Sequence, residues 1–185
     1  MKFIKTEIDG VIIVEPRIFK DERGYFFESY NEKEFKENGI GATFVQDNQS
    51  KSSYGVIRGL HCQLGKHSQA KLVRVLKGKV LDVAVDIRKD SPTFGKYVAV
   101  ELSEENNRQL FIPRHFLHGF AVLSETAVFA YKCDNFYYKE AEFCIRYDDE
   151  KIGIKWPISK DKIITSEKDM LANSLNDILE MYKWF

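Results

Sequence analysis

Lys71-Leu72-Val73-Arg74-Val75-Leu76-Lys77-Gly78-Lys79-Val80-Leu81-Asp82-Val83-Ala84-Val85-Asp86-Ile87 decides how this chain is read. In its second half Leu81, Val83, Val85 and Ile87 alternate with Asp82, Ala84 and Asp86. That period of two belongs to a β-strand, whose successive side chains point to opposite faces. In the first half Val73 and Val75 run in phase with Lys71. Lys77-Gly78 between the two runs is a short hairpin-like signal.

Working outward, residues 11–14, 25–30, 97–102, 108–112 and 127–132 are further apolar or alternating runs with turn residues between them. Many strands at short spacing predict a sandwich or barrel. Two helices are expected. Residues 31–38 are short and charged and stop at Gly39, a common helix terminator. A second begins near Ser166, with Leu171, Leu175, Ile178 and Leu179 at helical spacing for packing on the body. The fold class is therefore mainly β, a barrel or jelly roll with a few peripheral helices.

Composition sets the outer bounds. The 185 residues suit one domain, residues 1–185. The 28 basic and 28 acidic residues cancel, which argues against general affinity for nucleic acid. Cys62, Cys133 and Cys144 are odd in number and form no C-x-x-C pair, so a reducing compartment is expected rather than a disulfide scaffold. Met1-Lys2-Phe3-Ile4-Lys5-Thr6-Glu7 mixes charge into the start of the chain, unlike a signal peptide. No run approaches the roughly 18–20 apolar residues of a membrane span. The expectation is a soluble cytoplasmic protein.

Chemistry-bearing residues fall in a few segments. His61 ends Val56-Ile57-Arg58-Gly59-Leu60-His61, and an imidazole can act as a base near neutral pH. By strict parity Arg58 and His61 point to opposite faces. They share a pocket only if the strand twists or bulges, which Gly59 permits. A catalytic metal is disfavoured, because His61-Cys62-Gln63 lacks the H-x-H pair of metal-binding barrels. Lys71 among apolar strand positions either holds an anion or snorkels from an edge. Tyr131, in phase with Ala127 and Phe129, is either packing or a proton donor. Asp169 closes Ser166-Glu167-Lys168-Asp169, which reads equally as a capping box or as a carboxylate that steadies a histidine. Arg23, Arg58 and Arg114 are candidate anion contacts. Glycine patterns for ATP or dinucleotides are missing.

Longer blocks carry a resemblance. They are Phe19-Lys20-Asp21-Glu22-Arg23-Gly24-Tyr25-Phe26, Phe44-Val45-Gln46-Asp47-Asn48, Gly55-Val56-Ile57-Arg58-Gly59-Leu60-His61, Lys71-Leu72-Val73-Arg74-Val75, Asp82-Val83-Ala84-Val85-Asp86-Ile87-Arg88, Ser91-Pro92-Thr93-Phe94-Gly95 and Ser166-Glu167-Lys168-Asp169. In order and spacing the chain resembles the dTDP-4-dehydrorhamnose 3,5-epimerases of the cupin superfamily, from about residue 3 to about 170. The resemblance implies a cupin-type jelly-roll homodimer with no metal and no cofactor. It implies epimerisation at C3 and C5 of dTDP-4-keto-6-deoxy-D-glucose to dTDP-4-keto-L-rhamnose, toward dTDP-L-rhamnose. His61 would be the base, paired with Asp169, and Tyr131 the acid; Lys71 would contact the C4 oxygen. Arg23, Arg58 and His118 would contact the pyrophosphate and sugar. Phe26, Glu28, Gln46, Asn48 and Tyr137 would hold or stack on the thymidine part, with Asp47, Glu142 and Lys168 at further substrate-binding positions. The 23–28 strand would reach a neighbouring subunit's site.

Three places depart from the family pattern. Cys62 stands where an aromatic commonly follows the histidine. Pro113-Arg114-His115-Phe116-Leu117-His118 is bulkier at His115 and Leu117 than the usual loop. Tyr137-Tyr138-Lys139-Glu140 lacks a proline. Two other readings stay open: a C3-only or C5-only epimerase of another nucleotide-linked 4-keto sugar, and a non-catalytic cupin that binds a sugar nucleotide.

Overall fold

The computed structural model describes residues 1–181. The strands are β1 (Lys2–Lys5), β2 (Ile12–Glu15), β3 (Phe19–Asp21), β4 (Gly24–Phe26), β5 (Gln46–Ser53), β6 (Ile57–Gln63), β7 (Lys71–Lys77), β8 (Lys79–Asp86), β9 (Tyr97–Ser103), β10 (Gln109–Ile112), β11 (Phe116–Val122), β12 (Thr126–Cys133) and β13 (Glu142–Cys144). One sheet runs β1-β2-β10-β7-β12-β5 and the other β13-β6-β11-β8-β9, while β3 and β4 form a separate hairpin. Two antiparallel sheets with crossing connections make the expected jelly roll.

The two sheets close on a shared core. Val73, Val75, Leu110, Ile112, Ala127 and Phe129 meet Val80, Ala84, Val98, Val100, Phe116, Phe120 and Val122 from the facing sheet. The opposite phase of β8 is buried as well. Leu60, Val83, Val85 and Leu117 pack beneath Phe143, Ile145, Ile152, Leu175 and Ile178. The alternation that reveals the strand therefore does not separate core from solvent, because both faces are covered. Each fully buried aliphatic side chain contributes about 1.5–3 kcal/mol relative to exposure.

The turn at Lys77-Gly78 is not a hairpin. β7 pairs with β10 and β12, and β8 pairs with β9 and β11. Gly78 instead carries the chain from one sheet to the other. Its φ is +78°, and a Cβ there would lie 2.1 Å from the Thr126 carbonyl oxygen, so only glycine fits the corner. A short apolar–glycine–apolar pattern has the same appearance whether the strands pair or part.

The helix expected over 31–38 is α1 (Glu32–Glu37), capped by Asn31 and burying Phe35 with Ile40, Leu72 and Phe111 outside the six-stranded sheet. The expected C-terminal helix is two pieces, α2 (Glu167–Met170) and α3 (Leu175–Met181). Between them Asn173 bridges to Ile145, its N–H donating to the Cys144 carbonyl at 3.1 Å. Leu171 is accordingly exposed, while Leu175 and Ile178 are buried. The side chain of Leu179 lies outside the described part. The strand expected over 25–30 ends at Phe26. Among the described residues no helix is long and apolar enough to cross a membrane.

Candidate active site

Polar side chains interrupt the inward-facing apolar positions at one end of the barrel. Lys71 precedes Val73 and Val75 on β7; Tyr131 follows Ala127 and Phe129 on β12. Across from them His61 and Arg58 project from β6, and His118 from β11. With Asn48, Phe120, Lys168 and Asp169 these residues line a cavity of about 540 Å3.

Arg58 and His61 share this cavity because β6 bulges. His61 lies opposite His118 and Arg58 opposite Phe120. Gly59 and Leu60 together therefore face the single residue Gly119, and the extra residue restores parity. Gly59 has φ +134°, and a Cβ on it would sit 2.5 Å from the Gly119 Cα. Two glycines are needed where these strands approach.

His61 Nε2 and Asp169 Oδ1 are 2.6 Å apart. Asp169 is buried and sits at the third position of α2, where its backbone N–H donates to Ser166 Oγ at 3.1 Å. The Ser166 N-cap, one half of a capping box, and the carboxylate–histidine pair are both present: the Asp169 carboxylate goes to His61, and the cap on its N–H aims it. Burial is the strongest single influence on His61 and works to lower its pKa, but the hydrogen bonds and charges of Asp169 and Cys144 together outweigh it, and the pKa is pushed up to about 9. Burial works to raise the Asp169 pKa, and the bond to His61 holds it below the usual carboxylate value.

His118 and Asp82 make a second pair, with Nε2 2.8 Å from Oδ1. Asp82 is completely buried. Burial pulls His118 below the ordinary imidazole value against the influence of Asp82. A neutral ring donates Nε2–H to the carboxylate. Lys71 holds its ammonium 5.9 Å from the Tyr131 ring centroid. Burial pulls its pKa down while Cys133, Cys62 and Asp82 oppose the fall. Burial raises the Tyr131 phenol, which stays protonated near neutral pH. Arg58 is steered by its Nε–H donating to Ser52 Oγ at 3.0 Å.

A family model described as dTDP-4-dehydrorhamnose 3,5-epimerase matches residues 5–177. The chain belongs to that family. It is 56% identical over 178 residues to the dTDP-4-dehydrorhamnose 3,5-epimerase of Shigella flexneri, covering 96% of this chain and 97% of that protein. The crystal structure of the dTDP-4-dehydrorhamnose 3,5-epimerase from Elizabethkingia anophelis NUHP1 is similar with a TM-score of 0.92 and 57% identity, covering 96% of this chain and 97% of that one. The dTDP-6-deoxy-D-glucose-3,5-epimerase RmlC of Legionella pneumophila Philadelphia 1, in complex with dTDP-4-keto-L-rhamnose, is similar with a TM-score of 0.91 and 52% identity, covering 95% and 93%.

Among the positions expected to hold ligand in this family, the cavity gathers Asn48, Arg58, His61, Lys71, His118, Tyr131, Lys168 and Asp169. Three more form its rim. Glu142 accepts from Lys168 Nζ at 2.5 Å and from the Tyr137 hydroxyl at 3.1 Å. Gln46 accepts from the Tyr137 N–H and donates to Asn48 Oδ1, both at 3.1 Å. Asp47 points to the outer side of its sheet, where it accepts from Lys132 at 2.9 Å. Arg23 and Phe26 lie on the exposed β3–β4 hairpin, with Arg23 paired to Asp21. Glu28 accepts from Asn31 Nδ2 at 3.2 Å. None of these last four lines the cavity of its own chain.

Two participants were not singled out from the sequence. Asp82 carried no clear signal, because the alternation set it on the phase opposite Leu81, Val83 and Val85, and only the structure shows that phase facing inward with Val80 and Ala84. Cys144 carried none, because its proximity to His61 comes from β13 pairing with β6.

Proposed function

We propose that this protein inverts C3 and C5 of dTDP-4-keto-6-deoxy-D-glucose, giving dTDP-4-keto-L-rhamnose on the way to dTDP-L-rhamnose. One observation carries the reading: His61 and Tyr131 stand on opposite sheets and face one cavity. Inversion requires a proton to leave one face of a carbon and another to arrive on the opposite face.

The steps follow from the residues. The C4 ketone acidifies the adjacent C–H bonds. Neutral His61 takes a proton, and the C–H electron pair moves into an enolate whose charge rests on the C4 oxygen. Lys71 supplies positive charge to that oxygen in a partly water-excluded site. Asp169 steadies the imidazolium so formed. The Tyr131 phenol delivers its proton to the far face, and solvent then resets both groups. Arg58 and His118, beside the base, suit the pyrophosphate and sugar. The rim of Gln46, Asn48, Tyr137, Glu142 and Lys168 suits the thymidine end.

Arg23, Phe26 and Glu28 fit a homodimer in which each β3–β4 hairpin completes the neighbouring site. Exposed Phe19, Tyr25 and Phe26 on that hairpin support a partner surface. Free, buried Cys62, Cys133 and Cys144 favour the reducing cytoplasm.

The test is incubation with the keto-sugar nucleotide in D2O. Deuterium at both C3 and C5 is expected. Label at one carbon selects a mono-epimerase, and exchange at neither refutes the reading.

A further inference from the structure

Three donors of different chemistry converge beside the cavity: the His61 imidazole, the Asp169 carboxylate and the Cys144 thiol. Their ligand atoms all lie within 4.8 Å of one another. Cys144 stands directly opposite His61 in the β13–β6 pair, so both side chains leave the same face of the sheet. Asp169 comes from α2, with Oδ1 2.6 Å from His61 Nε2. The proposed proton transfers run through His61 and Asp169, and no proton passes through Cys144.

We infer that this cluster binds a thiophilic divalent cation, Zn2+ foremost, and that the bound ion silences the enzyme. A thiolate, an imidazole and a carboxylate form a donor set that zinc takes tetrahedrally, leaving a fourth position for water or an anion. Zinc–ligand bonds of about 2.0–2.3 Å put tetrahedral donors roughly 3.3–3.7 Å apart. The 4.8 Å limit on the cluster needs only small rotations to close. The 2.6 Å His61–Asp169 contact needs to open by roughly 1 Å, as the cation replaces the proton held there. The thiol releases its proton to solvent, so binding tightens as pH rises. Entry is from the cavity, where His61 keeps 32% of its side chain exposed while Asp169 keeps 4%. The ion occupies a lone pair of His61 and draws Asp169 away. Binding stands on this geometry alone; silencing rests on the proposal that His61 is the base.

The folded full chain, freed of chelators, is titrated with Co2+ as a spectroscopic probe and with Zn2+ against turnover. One equivalent of Co2+ is expected to raise a thiolate-to-cobalt charge-transfer band that Zn2+ abolishes. Zn2+ should suppress turnover over the same range, with recovery on adding a chelator. Cys144→Ser and Cys144→Ala, with melting curves to verify folding, should lose the band and weaken Zn2+ inhibition at least about ten-fold, each measured against that variant's own zinc-free turnover. Cys62→Ser should retain the band. No band in the parent protein, or equal Zn2+ sensitivity in both Cys144 variants, overturns the site. A band that depends on Cys144 without any loss of turnover keeps the site and overturns His61 as the base.

Discussion

Asp169 Oδ1 lies 2.6 Å from His61 Nε2, and that contact gives the resting enzyme a protonated imidazole near neutral pH. With the His61 pKa raised to about 9, only the deprotonated fraction can accept a substrate proton. kcat/KM should therefore climb about ten-fold per pH unit below 9 and level off above it. Asp169→Asn removes the charge that holds the proton, so its break should fall to lower pH with a lower plateau. A pH–rate profile of both proteins checks this. An unmoved break in Asp169→Asn would show that the pair does not set the base.

The ammonium of Lys71 lies beside Tyr131, in a setting where burial disfavours its charge. An oxyanion forming next to it recovers that cost. Lys71→Met should lower kcat by roughly 10²–10³-fold while leaving the affinity for dTDP close to that of the parent. Steady-state kinetics with a dTDP binding titration separates the two effects.

Away from the cavity, Asp86 is completely buried and accepts from Arg88 Nη2 at 2.7 Å, Ser91 Oγ at 2.5 Å and Thr93 Oγ1 at 2.6 Å. Burial works to raise its pKa, but these partners hold it down at about 2. A depressed carboxylate pKa stabilises the fold above the unfolded value near 4, and that stability is lost as pH falls through 2. Asp86→Asn should cost about 2–4 kcal/mol at pH 7. Thermal unfolding from pH 7 down to 2 should show the variant lacking part of the parent's acid slope, with unchanged kcat per folded molecule.

Arg23 lies on a hairpin that does not line its own cavity, whereas His61 does. If hairpins are exchanged between subunits, Arg23→Ala and His61→Ala are each nearly inactive alone but complement each other when mixed. In a hybrid dimer one site receives both intact residues. Mixing after mild dissociation should restore up to about a quarter of parental activity, the statistical yield of half hybrids with one good site each. Unrestored activity in verified hybrids would place Arg23 in a different role.

Much of this was legible because the family's blocks are local. The strands containing Lys71 and Tyr131 were read correctly down to which neighbours share their phase. Of the two devices that would let Arg58 and His61 share a pocket, a twist or a bulge at Gly59, the chain uses the bulge. What sequence could not supply was long-range pairing. Lys77-Gly78 has the local chemistry of a hairpin, yet the partners of β7 and β8 are distant strands. The C-terminal periodicity suited one helix, but the bond from Asn173 to Cys144 outweighed continuation. Asp82 looked unremarkable because both faces of its strand are buried, and a single alternating pattern does not reveal that.

Tyr131→Phe in D2O tests the central claim most directly. His61 remains, so the enolate still forms and the same face is still reprotonated. Deuterium should enter the recovered keto sugar with retained configuration, while inversion falls by roughly 10²–10⁴-fold. Inverted product forming at the parental rate would contradict an acid on the wall opposite the base.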